Sequence, residues 1–471
     1  MSELQPLLQS DRPEASENRP ALRAEQEENT SESILDIKND EGTDSDAAAA
    51  QSSQKPEYNP SMHRTLDHPT SNVDTMIHLL KGNIGTGILA MPDAFRNAGL
   101  YVGLFGTLIL GAICTHCMHM LVRCSRELCQ RLQQPALNFP EVGYWSFETG
   151  PASLKRYSIT ARRMITTFLF ITQMGFCCVY FLFVALNVKE VIDHYFVKLD
   201  VRVYLIILLF PMILINLLRN LKYLAPVSFF AAILTVTGLS ISFFYMLQNL
   251  PRTDTVKPIG SWATLPLYFG TAIYAFEGIG VVLPLENNMK SPQDFGGITG
   301  VLNTGMVIVA CLYTSVGFFG YLKYGENVKG SITLNLPQDH ILSQLVRIAM
   351  AIAIFLSYPL QFYVPMNIVE PVVVNHFETN RAQYLANTAL LILAACIPNL
   401  GPIISLVGAI SSSALALIAP PIIEIITFWA VGYGRYNWIL WKDFAILIFG
   451  ISGFVFGTYA STAQILYPSI N

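Results

Sequence analysis

Charge is scarce in this chain. Of 471 residues only 13% are Asp, Glu, Lys or Arg, while 52% are apolar; soluble domains carry roughly 25% charged residues. A fold in water would have to cover that apolar surface with very few charges, which excludes a soluble globular enzyme. Other features are missing too. Nothing resembles a cleavable signal peptide, and the eight cysteines all sit in or beside apolar runs rather than in a disulfide framework. No basic stripe suits a nucleic-acid backbone. No nucleophile–base pair stands out, and Gly82–Gly87 lacks the Gly-Lys-Ser/Thr ending of a nucleotide cradle. Cys114, His116, Cys117 and His119 crowd one segment, but 114/117 and 116/119 point to different helix faces, so no metal is expected.

What remains is a polytopic membrane protein, all α, preceded by an acidic tail. Residues 1–72 hold 15 acidic and 6 basic residues, against 18 and 23 in the other 399. Rich in Ser, Glu, Gln, Asn and Pro, residues 1–72 cannot bury enough apolar area to offset chain entropy and read as a disordered cytosolic tail. Residues 73–471 read as one domain. Roughly 20 apolar residues span a bilayer, and runs of that kind predict eleven crossings, beginning with Val73–Ala98. The shortest is Val203–Leu218, with Pro211 inside; Ala382–Ile423 is read as two helices joined by a turn at 398–402. With the amino terminus in the cytosol, thirteen Lys/Arg fall in cytosolic loops and eight opposite, seven of the thirteen within 123–163. The carboxyl terminus then faces outside or a lumen. Glu370 and Glu424 fall near cytosolic ends and need no special role.

Two crossings are interrupted. The first carries Gly82, Gly85 and Gly87 with Pro92 beyond; the sixth carries Gly278 and Gly280 with Pro284 beyond. Glycines in membrane helices can simply allow close packing. Paired interruptions five crossings apart also fit a 5+5 inverted-repeat carrier, whose unwound backbone lines a midplane site. Half-helix amides there suit a carboxylate and half-helix carbonyls an ammonium, so a zwitterion fits better than a sugar. His78 and Glu277 are the candidate proton carriers. His titrates near neutrality, and burial raises a Glu toward that range. The competing readings are a Glu277–Lys81 brace and a His78 that satisfies a backbone carbonyl.

The strings HLLKGNIGTGILAMPDAFRNAG (78–99), TQMGFCCVYFLFVALN (172–187), YFGTAIYAFEGIGVVLPLENNMKSP (268–292), YGENVKGSITLNLP (324–337), LQFYVPMNIV (360–369) and ISLVGAISSSALALIAPP (404–421) closely resemble the proton-assisted amino-acid transporters of the amino acid/auxin permease group, in an insect-type form. The resemblance runs from about residue 71 to the end. It implies a LeuT-like fold and proton-driven import of small neutral amino acids across a plasma or endolysosomal membrane, with links to nutrient signalling and growth control. It puts proton coupling on His78. Substrate contacts fall on Gly82, Asn83, Ile84, Gly85, Thr86 and Gly87, on Phe276, Gly278, Ile279 and Gly280, and on Tyr180 and Tyr363. The coupling ion is a proton and no cofactor is implied. A departure from the vertebrate pattern is that loops 189–202 and 323–340 hold no cysteine, and no luminal loop holds a glycosylation sequon.

Smaller signals complete the reading. Glu3, Leu7 and Leu8 match an acidic dileucine sorting signal, which favours late endosomes and lysosomes, with some protein at the cell surface, through cytosolic adaptors. Cys124 and Cys129, beside Arg123 and Arg126, are candidates for palmitoylation. Ser411, Ser412 and Ser413 either line a cavity or bond back to their own helix. Two other functions share this frame: an amino-acid-sensing transceptor that signals growth with little flux, and sodium coupling on the same fold.

Overall fold

In the computed structural model, residues 58–64, 66, 69–196, 198–216, 221–376, 388, 392 and 400–467 are described. The sorting signal at Glu3, Leu7 and Leu8, nearly all of the acidic tail and residues 398–399 of the turn expected at 398–402 lie outside them, while residues 400–402 already belong to a helix.

The first crossing is two helices, α1 (Asn72–Asn83) and α2 (Thr86–Ala98). A capping box starts α1: the Asp74 amide donates to Ser71 Oγ, and the Ser71 amide donates to Asp74 Oδ2, each at 3.2 Å. Gly99, at φ +82°, turns the chain into α3 (Leu100–Leu132). A side chain there would also collide with Gly260, whose amide donates to the Ala98 carbonyl at 2.7 Å. Then follow α4 (Phe139–Thr149), α5 (Ser158–Tyr195), α6 (Val201–Asn216) and α7 (Leu221–Leu247). The sixth crossing is again split, into α8 (Leu265–Ala275) and α9 (Ile279–Asn287). After it come α10 (Val301–Tyr324) and α11 (Ile341–His376). Next, α12 (Leu400–Val407) passes through two π-helical turns, Gly408–Ser412 and Ala414–Ile418, into α13 (Ala419–Thr427). The last described helix is α14 (Trp438–Leu466).

Among the described residues, eight helical segments are long and apolar enough to cross a membrane, and Val201–Asn216 is a shorter apolar helix. Neither half of the broken first crossing reaches that length alone. The fragment expected to provide the ninth crossing, from Ala382 to the turn, is largely outside the described residues. The segment Leu265–Asn287 is the most enclosed, 78% buried, whereas Arg435–Leu466 is only 11% buried. The broken sixth crossing is therefore the axis of the packing, and α14 lies on its rim. Around α8 stand α2, α12, the first π turn and α14.

Three sequence readings need correction. Segment 123–163 is not simply a loop: it holds α4, started by an Asn138–Glu141 capping box and buried on its Phe139, Val142 and Ser146 side. Cys124 and Cys129 are poor targets for lipidation because both are buried; α3 continues past Val122 and packs them into the core. Glu424 is a buried ion partner, not an idle end residue. Its oxygens meet Arg123 at 3.2 Å and Lys442 at 2.7 Å, fastening α14 to α13 and α3.

A second buried carboxylate ties down the chain ahead of α1. Glu286, 1% exposed, meets Arg64 at 3.1 Å and Arg126 at 3.0 Å. Arg64 also donates to the Pro135 and Glu286 carbonyls. Beside it, Thr70 pairs with the strip after α9, its amide donating to the Asn288 carbonyl and its carbonyl accepting from the Lys290 amide. Removing one member of a buried pair strands the other charge. Glu286→Gln should therefore cost about 3 kcal/mol, checked by the thermal midpoint of the purified protein in detergent.

Candidate functional site

Both interruptions anticipated from the glycines are real breaks, at Ile84–Gly85 and at Phe276–Gly278, and they lie against each other. A Cβ on Gly87 would stand 2.8 Å from the Ala275 Cα, and one on Gly278 would stand 3.0 Å from Asn83 Oδ1. The absence of side chains is what lets the start of α2 reach the end of α8 and the end of α1 reach Gly278. Gly82 lies near Val281 of α9, at 3.7 Å by the same measure.

Ending a helix inside the membrane strands carbonyl groups, each costly without a partner. Tyr313 of α10 meets that need. Its hydroxyl, fully buried, points at the Asn83 carbonyl (2.5 Å) and the Ala275 carbonyl (2.8 Å), one from each broken crossing. A single side chain thus bridges the carbonyl ends of α1 and α8. Thr86 Oγ1 and Tyr274 Oη, 3.0 Å apart, add a second link between the two crossings. On the other side of each break, α2 and α9 begin at Gly85 and Gly278 without side-chain caps. Helix starts of this kind present amides that suit an anion.

Other groups close in from neighbouring helices. The Tyr180 hydroxyl of α5 lies 3.1 Å from where a Gly85 Cβ would be. Phe176, one turn earlier, meets Tyr274 edge-on at 4.8 Å. Phe276 packs on Tyr313, ring centroids 5.0 Å apart, and against Gly111 of α3. Ile279 is fully buried and Gly280 lies near Leu169. Glu277 is 9% exposed, and its Oε2 has no hydrogen-bond partner. Ser412, from the first π turn, stands beside it. Ser411 and Ser413 bond back to the Val407 and Gly408 carbonyls, but the buried Ser412 hydroxyl does not.

Two further candidates lie on α1 and α11. His78 is half-buried on α1, ahead of the break, with the Asp74 carboxylate one turn earlier as an electrostatic neighbour. Tyr363 is half-buried on α11. Sequence reading missed Tyr313 and Tyr274. Tyr274 stands three residues before Glu277, so its position was a usable signal. Nothing local marks Tyr313, since an aromatic within a crossing usually packs or anchors.

Comparison with known proteins agrees with this architecture. Residues 68–463 match the family model described as transmembrane amino acid transporter protein. The chain belongs to that family. It is 40% identical over 421 residues to the proton-coupled amino acid transporter-like protein pathetic of Drosophila melanogaster, covering 87% of this chain and 88% of the relative. It is also 27% identical over 415 residues to amino acid transporter AVT3C of Arabidopsis thaliana, covering 84% and 91%. It is a multi-pass membrane transporter of amino acids, not an enzyme.

In this transporter Tyr313→Phe removes the hydroxyl from two buried carbonyls. The expected cost is about 2 kcal/mol of stability, with a loss of uptake larger than the loss of folded protein. Measuring the thermal midpoint and uptake per folded molecule separates the two effects.

Proposed function

We propose that the transporter is a proton-driven symporter that carries small zwitterionic amino acids into the cytosol. The observation that carries this reading is the meeting of the two breaks. The uncapped amide ends of α2 and α9 face the same region where Glu277 lies buried with an unpartnered oxygen. The amides suit a substrate carboxylate. The crowding by Tyr180, Phe276 and Tyr274 favours a small side chain. A relative that is named as proton-coupled supports the coupling ion.

Eleven crossings in a LeuT-like 5+5 inverted repeat, rocking about the broken first and sixth, form the architectural part of the proposal. Glu277 and His78 carry the coupling proton. An ionised acid at this depth costs at least ~2.5 kcal/mol by insertion scales, so a proton taken from the acidic side neutralises Glu277 and favours the loaded carrier moving. The amino terminus is cytosolic. Glu3, Leu7 and Leu8 direct part of the protein to late endosomes and lysosomes, where luminal acidity supplies the gradient. Signalling partners for growth control would meet the acidic tail.

Currents recorded with a panel of amino acids, over a pH series and with sodium present or absent, test the reading. Inward current should rise as external pH falls and persist without sodium. Loss of current on sodium replacement at fixed pH would favour sodium coupling. Signalling that fails on deleting residues 1–70 while flux is retained would favour a receptor role for the tail.

The proton carriers are tested separately. His78→Ala should abolish or strongly reduce acid-stimulated uptake in a protein that still reaches its membrane; an unaltered pH profile removes His78 from the mechanism. Glu277→Gln should flatten the pH dependence if Glu277 titrates, and leave it intact if the carboxyl only braces the fold.

A further inference from the structure

Residues 325–337, between α10 and α11, form a strap that packs against the start of α11, and Arg347 of α11 holds it there. Arg347 is fully buried, with 0% exposure. Its Nε donates to the Thr333 carbonyl at 3.2 Å, and its Nη2 donates to the Leu336 carbonyl. The third nitrogen, Nη1, is buried and has no hydrogen-bond partner.

The charge around this guanidinium does not balance. Among the described residues no carboxylate pairs with it; Glu190 and Tyr324 are the groups that act on it electrostatically. Glu190 is already occupied, one oxygen accepting from Lys329 Nζ and the other from Gln338 Nε2, each at 2.9 Å. Asp339, just beyond the strap, is exposed to solvent. Two cations, Arg347 and Lys329, thus face one carboxylate.

Hydroxyl donors stand beside the spare nitrogen. Ser343 lies one turn before Arg347 on the same face of α11. It is 0% exposed, and its Oγ has no hydrogen-bond partner. Thr333, whose carbonyl Arg347 holds, is also fully buried, with Oγ1 3.0 Å from Ser331 Oγ. Two hydroxyls that share one hydrogen bond retain one hydrogen to donate. The groups meet at the amino-terminal end of a 36-residue helix, where the dipole favours negative charge. One acceptor is near: Gln344 donates through Nε2 to the Gln338 carbonyl at 2.6 Å, while its Oε1 is unpartnered.

A buried charge without a counter-charge is costly, and buried polar groups without partners call for a water or an ion. A water would join Arg347 Nη1 to Gln344 Oε1 but leave the positive charge as it is. An anion against Arg347 and Ser343 answers the charge and the hydrogen bonds together. Enclosure sets its size, because side chains with no exposed surface leave no room for a phosphate or a whole amino acid. We infer that this place is a binding seat for a chloride ion, held by Arg347 Nη1 and Ser343 Oγ between α11 and the strap. The Val328 carbonyl of the strap accepts from Arg96 of α2 at 2.7 Å, so an occupied seat steadies the strap against the second half of the broken first crossing.

The test uses the purified full chain in uncharged detergent, with sodium chloride exchanged for sodium gluconate at constant ionic strength and the thermal midpoint as the readout. Chloride should raise the midpoint saturably, as an ion that binds only the folded state does, and bromide should replace it. Arg347→Gln should abolish the chloride response. Ser343→Ala keeps both strap contacts of Arg347 and should raise the half-saturating chloride concentration roughly tenfold, the worth of a hydrogen bond to a charged group; it carries the test should Arg347→Gln not fold. Equal midpoints in chloride and gluconate overturn the proposal, as does a Ser343→Ala protein that responds like the parent. A zwitterionic amino acid that reproduces the shift in gluconate and competes with chloride overturns it in favour of a substrate carboxylate.

Discussion

A main-chain amide or carbonyl surrounded by lipid must find a partner, and the centre of this transporter is arranged around two places where a helix stops before meeting that obligation. Asn83 and Ala275 close the first halves of the two broken crossings, and the Tyr313 hydroxyl lies within hydrogen-bonding distance of both carbonyls. The breaks are thereby held side by side, and the glycines at 87 and 278 make the approach sterically possible. The opposite polarity of each break, the amide side, is left without a side-chain cap. The two sides of each break thus differ: a carbonyl on one side meets Tyr313, and the helix start on the other has no side-chain cap.

The buried charges follow a related logic. Glu286 sits between two arginines, Glu424 between an arginine and a lysine, and Asp93 pairs with Arg96 at 2.5 Å. The first two fasten one segment to another, whereas Asp93 and Arg96 pair within α2. Glu277 differs: its neighbour is the Ser412 hydroxyl, supplied by a π turn, and one oxygen has no partner. π turns inside α-helices recur at functional sites because they re-aim side chains, and here the turn presents Ser412 while Ser411 and Ser413 remain tied to their own backbone. Glu277 thus stands apart from Glu286 and Glu424, each of which meets two cations.

Much of this was legible along the chain because membrane helices announce themselves locally. Apolar runs located the crossings, and the triplet Gly82, Gly85 and Gly87, followed by Pro92, located a break correctly to within a residue or two. The Asn138–Glu141 capping pair was equally visible, yet α4 was hidden inside a segment whose basic residues suggested a loop. Cys124 and Cys129 looked accessible because the apolar run stops at Val122, whereas the helix continues to Leu132 and packs them inward. Helix continuity there depends on tertiary contacts rather than on hydrophobicity.

Composition and glycine placement alone determined that the chain lives in a bilayer and that its first and sixth crossings are interrupted, since lipid permits so few backbone solutions. Only the tertiary structure decided which groups complete those interruptions. Tyr313 is more than two hundred residues from Asn83, and Ser412, more than a hundred residues from Glu277, stands beside it. The reason is physical: a local pattern records what a segment must do to survive in lipid, but a hydrogen-bond partner is chosen by which helices pack together, and that choice is made by side-chain fit across the whole molecule.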